Sequence, residues 1–447
     1  MSEFLTAVLA VAVVLGFMIL IHEWGHYAMA KLLGVRVEVF SIGFGKRLLG
    51  FRRGETDYRI SAIPLGGYVK MSGENPMDPR TGDPAEFLSH PRWHRFMIAI
   101  AGPAMNILLA IGLLTGVYMF HFEIPLFWDQ PAVITGVRHG SPADEVGIQA
   151  GDRISRIDGI ANPTWEQVYY KIWLNPNQPV DITVQRGDQI FNKLVVPNAS
   201  GESQIGFAGW YSDESIIVGD MEPNMPAAKA GIKEGDKIVA LDGEPLTSLE
   251  DMIDRLQQTK DKMIDLTVLR QGHTLNFQLQ PVLAPSETSQ EKRYRIGFQN
   301  NEMKVMQLPF AEAFRRSLDR NRKDSVMLIE LVEKLIERKI SMRTISGPIG
   351  IAQQAGEAAE EKGWTPLIQL SAAISLNLGV FNLLPIPILD GGVILLLFVE
   401  GLMRRDISLR IKERIYQAAF VFLVLFAVMV IYNDLAKTLP GLTGRLP

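Results

Sequence analysis

His22-Glu23-Trp24-Gly25-His26 packs two imidazoles and a carboxylate into five residues. On a helix, the i, i+4 spacing puts His22 and His26 on one face, one turn apart. Both rings can then reach one tetrahedral zinc ion, and Glu23, beside the first of them, can hold the water on that ion. This is the pattern of zinc hydrolases. Its setting is unusual, because the run from Phe4 through Ile21 carries no charge and is long enough to cross a membrane. Ionisable groups inside a spanning segment mark a functional site by default. The coincidence points to a metal-dependent hydrolase working within the bilayer.

A catalytic zinc takes three protein ligands and a water, so a third ligand is required. Asp390 is the candidate, as the only carboxylate between Glu361 and Glu400. It sits in Asn382-Leu383-Leu384-Pro385-Ile386-Pro387-Ile388-Leu389-Asp390-Gly391-Gly392. The prolines break a helix there, and the glycine pair is expected to permit an unusual backbone. Broken backbone at membrane depth is tolerated only when buried in protein or lining a polar cavity. His90 and His94 share the i, i+4 spacing, but Pro91 falls between them and Arg92, Trp93 and Arg95 surround them. They read as interfacial anchors. Asn106 reads as a hydrogen-bonder between helices.

The elements that must position these residues follow from hydropathy. The chain has 447 residues, 47% of them hydrophobic, a net charge of −4 and no cysteine. Disulfides and thiolate ligands are therefore excluded, and no basic tract suggests nucleic acid. Four stretches are long and apolar enough to span, roughly residues 4–33, 96–120, 366–402 (interrupted by the prolines and Asp390) and 415–432. Met1-Ser2-Glu3 lacks the positive charge of a signal peptide, so the first stretch reads as a retained helix. The link between the first two spans is rich in Lys and Arg, as is Arg404-Arg405 to Lys412 between the last two. Both loops are then expected in the cytoplasm, with the termini and the long central region outside. His22 and Asp390 each come late in an out-to-in span, so their depths agree.

The central region repeats at a constant offset of 84 residues, from Pro142-Ala143 to Pro226-Ala227 and from Gly151-Asp152-Arg153-Ile154 to Gly235-Asp236-Lys237-Ile238. Asp158-Gly159 and Asp242-Gly243 continue it, and each copy is read as ending in Ile-Gly-Phe, at Ile205 and at Ile296. Pro-Ala-x-x-x-Gly-Ile-x-x-Gly-Asp-x-Ile followed by Asp-Gly resembles the PDZ domain. That resemblance implies peptide binding by strand addition, with Ile205, Gly206, Ile296 and Gly297 in the loops that hold a terminal carboxylate.

Together these motifs resemble the site-2 protease family of intramembrane metalloproteases, in its Gram-negative branch with tandem PDZ domains. Phe40-Ser41-Ile42-Gly43-Phe44-Gly45 and Ser346-Gly347-Pro348-Ile349 also match that branch. The resemblance implies Zn2+ on His22, His26 and Asp390, Glu23 as catalytic acid and base, and substrate contact by Asn382. It implies a bacterial inner-membrane location. It also implies second-step cleavage of a single-pass anti-sigma factor in an envelope stress response, and of leftover signal peptides. The PDZ pair would act as a size filter. Many members have His where this chain has Val393. A membrane-re-entrant β element is implied at Asp57–Met71, where Tyr58, Ile60, Ala62 and Val69 suggest strands with a turn around Pro64-Leu65-Gly66-Gly67.

The expected fold is thus a multidomain membrane protein: an α-helical transmembrane bundle of four spans, two external β-rich PDZ domains and a membrane-associated β-hairpin. Residues 1–125 would hold the first two spans and the β loop, 126–210 and 211–301 the PDZ domains. An external amphipathic helical segment would fill 302–364 and the last two spans 365–447. The competing function is a membrane-anchored PDZ scaffold with a structural metal site. Glu23 speaks against it, because a structural site needs no base. A zinc transporter is disfavoured by the single ligand set and the lack of an inverted repeat.

Overall fold

The computed structural model describes residues 3–74, 82–125, 127–200, 204–212, 214–285, 292–300, 303–340, 347–360 and 363–438. The chain divides into two units. One is Met1–Phe122 with Met306–Lys334 and Ile345–Pro447; the other is Glu123–Val305 with Leu335–Thr344.

The first unit opens with α1 (Glu3–Leu32), uncharged on all sides from Phe4 to Ile21. Strands β1 (Val37–Arg53) and β2 (Thr56–Met71) follow and pair antiparallel. Val37 to Ile42 lie against Met71 to Gly67, and Arg47 to Arg53 against Ser61 to Thr56. The turn expected at Pro64 to Gly67 is present within β2: Asp57–Ile60 and Gly67–Lys70 flank the same Val39–Ile42 stretch and run in opposite directions, and Gly66 in the reversal has φ +120°, a conformation that glycine adopts freely. Helix α2 (Arg92–Phe120) crosses α1 closely. A Cβ on Gly25 would stand 2.5 Å from the Ala101 carbonyl oxygen and 2.8 Å from Met105 Cγ. The Gly in His-Glu-Trp-Gly-His is thus what lets the two backbones approach, the usual use of small residues between membrane helices.

The second unit contains the repeat, and it carries two separate apolar cores. One is built from Ala132, Ile154, Trp165, Ile182 and their neighbours, the other from Ile216, Ile238, Met252, Leu266 and theirs. The first copy holds α3 (Pro142–Glu145) and α4 (Trp165–Trp173), the second α5 (Pro226–Ala230) and α6 (Leu249–Thr259). In both, a strand after the Gly-Asp pair lies antiparallel to the first strand of a hairpin: Arg153–Ile157 against Val180–Arg186, and Lys237–Leu241 against Ile264–Arg270. The Gly-Asp motif has a structural cause. Asp152 and Asp236 are buried, and each accepts a two-pronged bond from one arginine, Arg186 or Arg270. The other arginine bonds go to the Gly147 and Gly231 carbonyls. Each ion pair pins the α3 or α5 turn to the hairpin.

The two Ile-Gly-Phe tripeptides, however, are not equivalent. Ala143 N–H donates to Ala208 O, and the matching Ala227 N–H donates to Ile296 O. Gly209 and Gly297 both have left-handed φ, and a Cβ on either would run into the residue capping α3 or α5 (Ser141 or Met225). Ile296-Gly297-Phe298 therefore matches Ala208-Gly209-Trp210. Ile205–Phe207 instead pairs with Asn198–Ser200, and a Cβ on Gly206 would meet the Ile172 carbonyl at the end of α4. The side chain of Ile296 is buried in its core. The second copy carries additional residues before its tripeptide, so identical letters fell at different places.

Back in the first unit, α7 (Phe310–Ile336) donates from Ser317 Oγ to Ile111 O of α2. Next comes α8 (Pro348–Glu360), then α9 (Thr365–Asn382), α10 (Asp390–Met403) and α11 (Leu409–Thr438). Buried Asp434 of α11 accepts the backbone N–H groups of Gly347, Ile349 and Gly350. It caps α8, and this accounts for the Gly-Pro-Ile-Gly turn. Among the described residues, three helices are long and apolar enough to cross a membrane: Val11–Leu32, Arg92–Phe120 and Leu409–Leu435. The expected third span is two helices, α9 and α10, parted by the proline-bearing segment 383–389.

Candidate metal centre

His22 and His26 project from α1 as the spacing requires, both buried, with ring centroids 4.8 Å apart. Asp390 is the first residue of α10 and faces them. His22 Nε2 lies 3.1 Å from Asp390 Oδ2, His26 Nε2 lies 3.4 Å from Asp390 Oδ1, and the two Nε2 atoms are 3.2 Å apart. Ligands bound to tetrahedral zinc at about 2.0–2.1 Å are separated by about 3.3 Å, so these edges fit such an ion. His26 Nδ1 lies 2.8 Å from the Ile98 carbonyl oxygen. A neutral His26 donates there and turns its Nε2 lone pair toward Asp390 and His22. Lone pairs that converge in a buried site call for a cation. Among the described residues this is the one group of three or more His, Asp or Glu side chains so gathered.

The local sequence explains how Asp390 arrives. Pro385 and Pro387 deny the segment its helical hydrogen bonds, and Ile388 adopts φ +86°, rare for a β-branched residue. The unusual backbone thus sits at Ile388. The expectation for the glycine pair needs correction, since Gly391 and Gly392 are helical. Their role is close approach: a Cβ on Gly391 would meet the carbonyls of Leu383 and Leu384, and one on Gly392 would lie 2.6 Å from Ile386 C. The first turn of α10 therefore lies flat against the broken segment, and Asp390 is fixed from behind.

Glu23 lines the same cavity as the triad, a space of about 380 Å³ that also takes in Asn382, Tyr68, Val69 and Val393. β2 reaches this point. A Cβ on Gly67 would touch Glu23 Cγ at 3.3 Å, and Val69 lines the cavity beside it. The cavity continues past Glu74 and Arg95 to Glu400, Lys412 and Tyr416. There Lys412 Nζ pairs with buried Glu400 at 2.6 Å. The cavity lining alternates these polar groups with apolar side chains such as Phe87, Ile98 and Leu397.

The structure therefore gathers His22, His26, Asp390, Glu23 and Asn382. Ile205, Gly206, Ile296 and Gly297 belong to the other unit. His90 and His94 face each other through Nδ1 atoms 3.1 Å apart, with no third ligand among the described residues. Sequence reading missed Gly102, whose place on α2 is directly over both rings. A Cβ there would lie 2.6 Å from His26 Cε1 and 2.9 Å from His22 Cε1. The available signal was the spacing of Gly102 and Asn106, one turn apart on one face of α2.

A broken helix delivering a carboxylate to two histidines one turn apart, beside a glutamate in a partly polar cavity among apolar helices, defines a membrane metallohydrolase. The chain belongs to Peptidase family M50, whose model matches residues 10–426. It is 32% identical over 473 residues to the "Regulator of sigma-E protease RseP" of Escherichia coli (strain K12), covering 98% of this chain and 100% of that one. It is 30% identical to the "Putative zinc metalloprotease NMA0084" of Neisseria meningitidis serogroup A, over 94% of this chain and 96% of the relative. A PDZ domain of the SdrC-like protein of Listeria monocytogenes matches 21% of this chain and 92% of its own at 17% identity. Its TM-score of 0.18 is too low to define a fold. The chain is a site-2 type metalloprotease, and its apolar helices fit a bacterial membrane protein.

Proposed function

We propose that His22, His26 and Asp390 hold one Zn2+ and that Glu23 is the catalytic acid and base of intramembrane peptide hydrolysis. The convergence of both Nε2 atoms on Asp390 carries this reading. A relative named as a zinc metalloprotease supports the choice of ion. When bound, zinc supplies a Lewis acid toward the scissile carbonyl and the attacking water. Glu23, which lines the same cavity, takes the proton of that water and returns it to the departing amine. A helical substrate hides its carbonyls, so it must unwind before attack. β2, passing at Gly67 to Val69, offers backbone groups on which an unwound segment can pair. Asn382 at the end of α9 lies where it can contact that segment.

The further reading is a four-span protein, α9 and α10 together forming the third span. The basic loops then face the cytoplasm and the repeat unit faces the periplasm. The two repeats act as PDZ domains that admit substrates already trimmed outside. An anti-sigma factor is the substrate that the relatives' name suggests, with remnant signal peptides as a second class. Purified protein should cleave a model transmembrane peptide, and Glu23→Gln should abolish cleavage. Equal cleavage by both proteins would refute the assignment, and cleavage by neither would favour the anchored-scaffold reading.

A further inference from the structure

Asn106 is wholly buried on α2, one turn after Gly102. Its Nδ2 stands 3.4 Å from His22 Nδ1, and its Oδ1 is buried without a hydrogen-bond partner. Ser375 Oγ of α9 donates to the Asn106 carbonyl at 2.8 Å, which fixes the backbone there. We propose that Asn106 is the positioning residue for His22, its amide oxygen accepting the His22 Nδ1–H. The inference rests on the metal centre proposed above.

The argument runs through proton positions. His22 turns Nε2 to the site, so the ligating nitrogen is Nε2, and a neutral ring that offers Nε2 carries its proton on Nδ1. Nδ1–H then needs an acceptor. The amide as oriented presents a donor and suits only the other tautomer, with Nε2–H aimed at the cation position. Rotating the amide by half a turn exchanges two nearly isosteric atoms. It places Oδ1 on the ring N–H and gives that orphaned oxygen its partner. One rotation removes both conflicts. His26 already has the corresponding arrangement, Nδ1 against the Ile98 carbonyl. Both histidines of α1 would thus be held by acceptors from α2, and such partners fix tautomer and ring orientation in metal sites.

The test compares the full-length protein in detergent with Asn106→Leu, which keeps the branched shape without an acceptor, and Asn106→Asp, which keeps the acceptor. Zn2+ affinity is read by competition with a chelating dye, and the site by the visible spectrum of Co2+. Asn106→Leu should weaken Zn2+ by about 10–100-fold and alter the Co2+ bands. Asn106→Asp should stay within a few-fold of wild type. The thermal midpoint of metal-free Asn106→Leu should match wild type, which a mere packing role would not predict. If that variant fails to fold, Asn106→Ser, which shortens the side chain beyond reach, takes its place. Wild-type affinity and spectrum in the variant without the acceptor, or Asn106→Asp as weak as that variant, overturns the inference. A wild type that takes up neither ion overturns the metal centre itself, and this inference with it.

Discussion

Gly102→Ala isolates the claim that the two histidines must sit where they do. The added Cβ would stand 2.6 Å from His26 Cε1 and 2.9 Å from His22 Cε1, where ordinary contact begins at 3.4 Å. The His26 ring, whose Nε2 stands closer still, must therefore give more than about 0.8 Å and the His22 ring about 0.5 Å, beyond the ~0.2 Å that metal–ligand distances tolerate. α2 is also held by α9 on an adjacent face, where a Cβ on Gly379 would lie 2.8 Å from Ile107 Cγ1. Displacements of this size correspond to roughly 10–100-fold in metal affinity, or about 1.4–2.8 kcal/mol. Turnover should fall by about as much, given ~100-fold per ångström of misplacement. The assay is Zn2+ competition with a chelator, alongside cleavage of a model transmembrane peptide. Gly112→Ala and Gly116→Ala are matched controls on the same helix, since a Cβ at either meets nothing within 4 Å. Wild-type zinc affinity in Gly102→Ala would refute the placement of α2 over the histidines.

Further outcomes follow from the same geometry. Gly391→Ala should impair zinc binding at unchanged expression, read by metal content, because its methyl pushes the first turn of α10 off the Leu383 and Leu384 carbonyls. Asp236→Asn should lower the urea midpoint of the repeat unit at neutral pH, since it removes the two-pronged ion pair with Arg270. Arg270 holds the Asp236 carboxyl below its ordinary pKa, so this stabilisation is present above about pH 4 and is lost as pH falls further. The converse holds for Glu250 of α6, which burial pushes up to about 7, in a cluster with Arg138, Asp254 and Tyr169. Its ionisation opposes folding increasingly from the unfolded value near 4.5 up to about 7. Glu250→Gln should therefore stabilise the unit at pH 8, by up to about 3 kcal/mol, and leave it unchanged at pH 4. Equal effects at both pH values would contradict that burial.

How legible the site was depended on how local each contact is. His22, Glu23 and His26 could be read because one helical turn fixes their geometry. Asp390 could be read because a carboxylate in an apolar run has few other reasons to exist. The glycines were harder. Gly391 and Gly392 look like residues of free conformation, yet they are helical and serve close packing, while the strained position is Ile388. Gly25 and Gly102 matter only where two helices cross, and no local pattern states the crossing. The repeat was legible because its offset is constant through Gly-Asp and the following hairpin. It misled at Ile205 and Ile296, where a length change shifts the register and pairing rather than letters decides equivalence.

The account turns on one cation shared by α1 and α10. Zinc content of the purified, reconstituted protein, measured by elemental analysis in wild type, Glu23→Gln and Asp390→Ala, addresses it most directly. One zinc per chain is expected in wild type and in inactive Glu23→Gln, with loss of zinc in Asp390→Ala. Zinc absent from wild type, or held equally after Asp390→Ala, would contradict it.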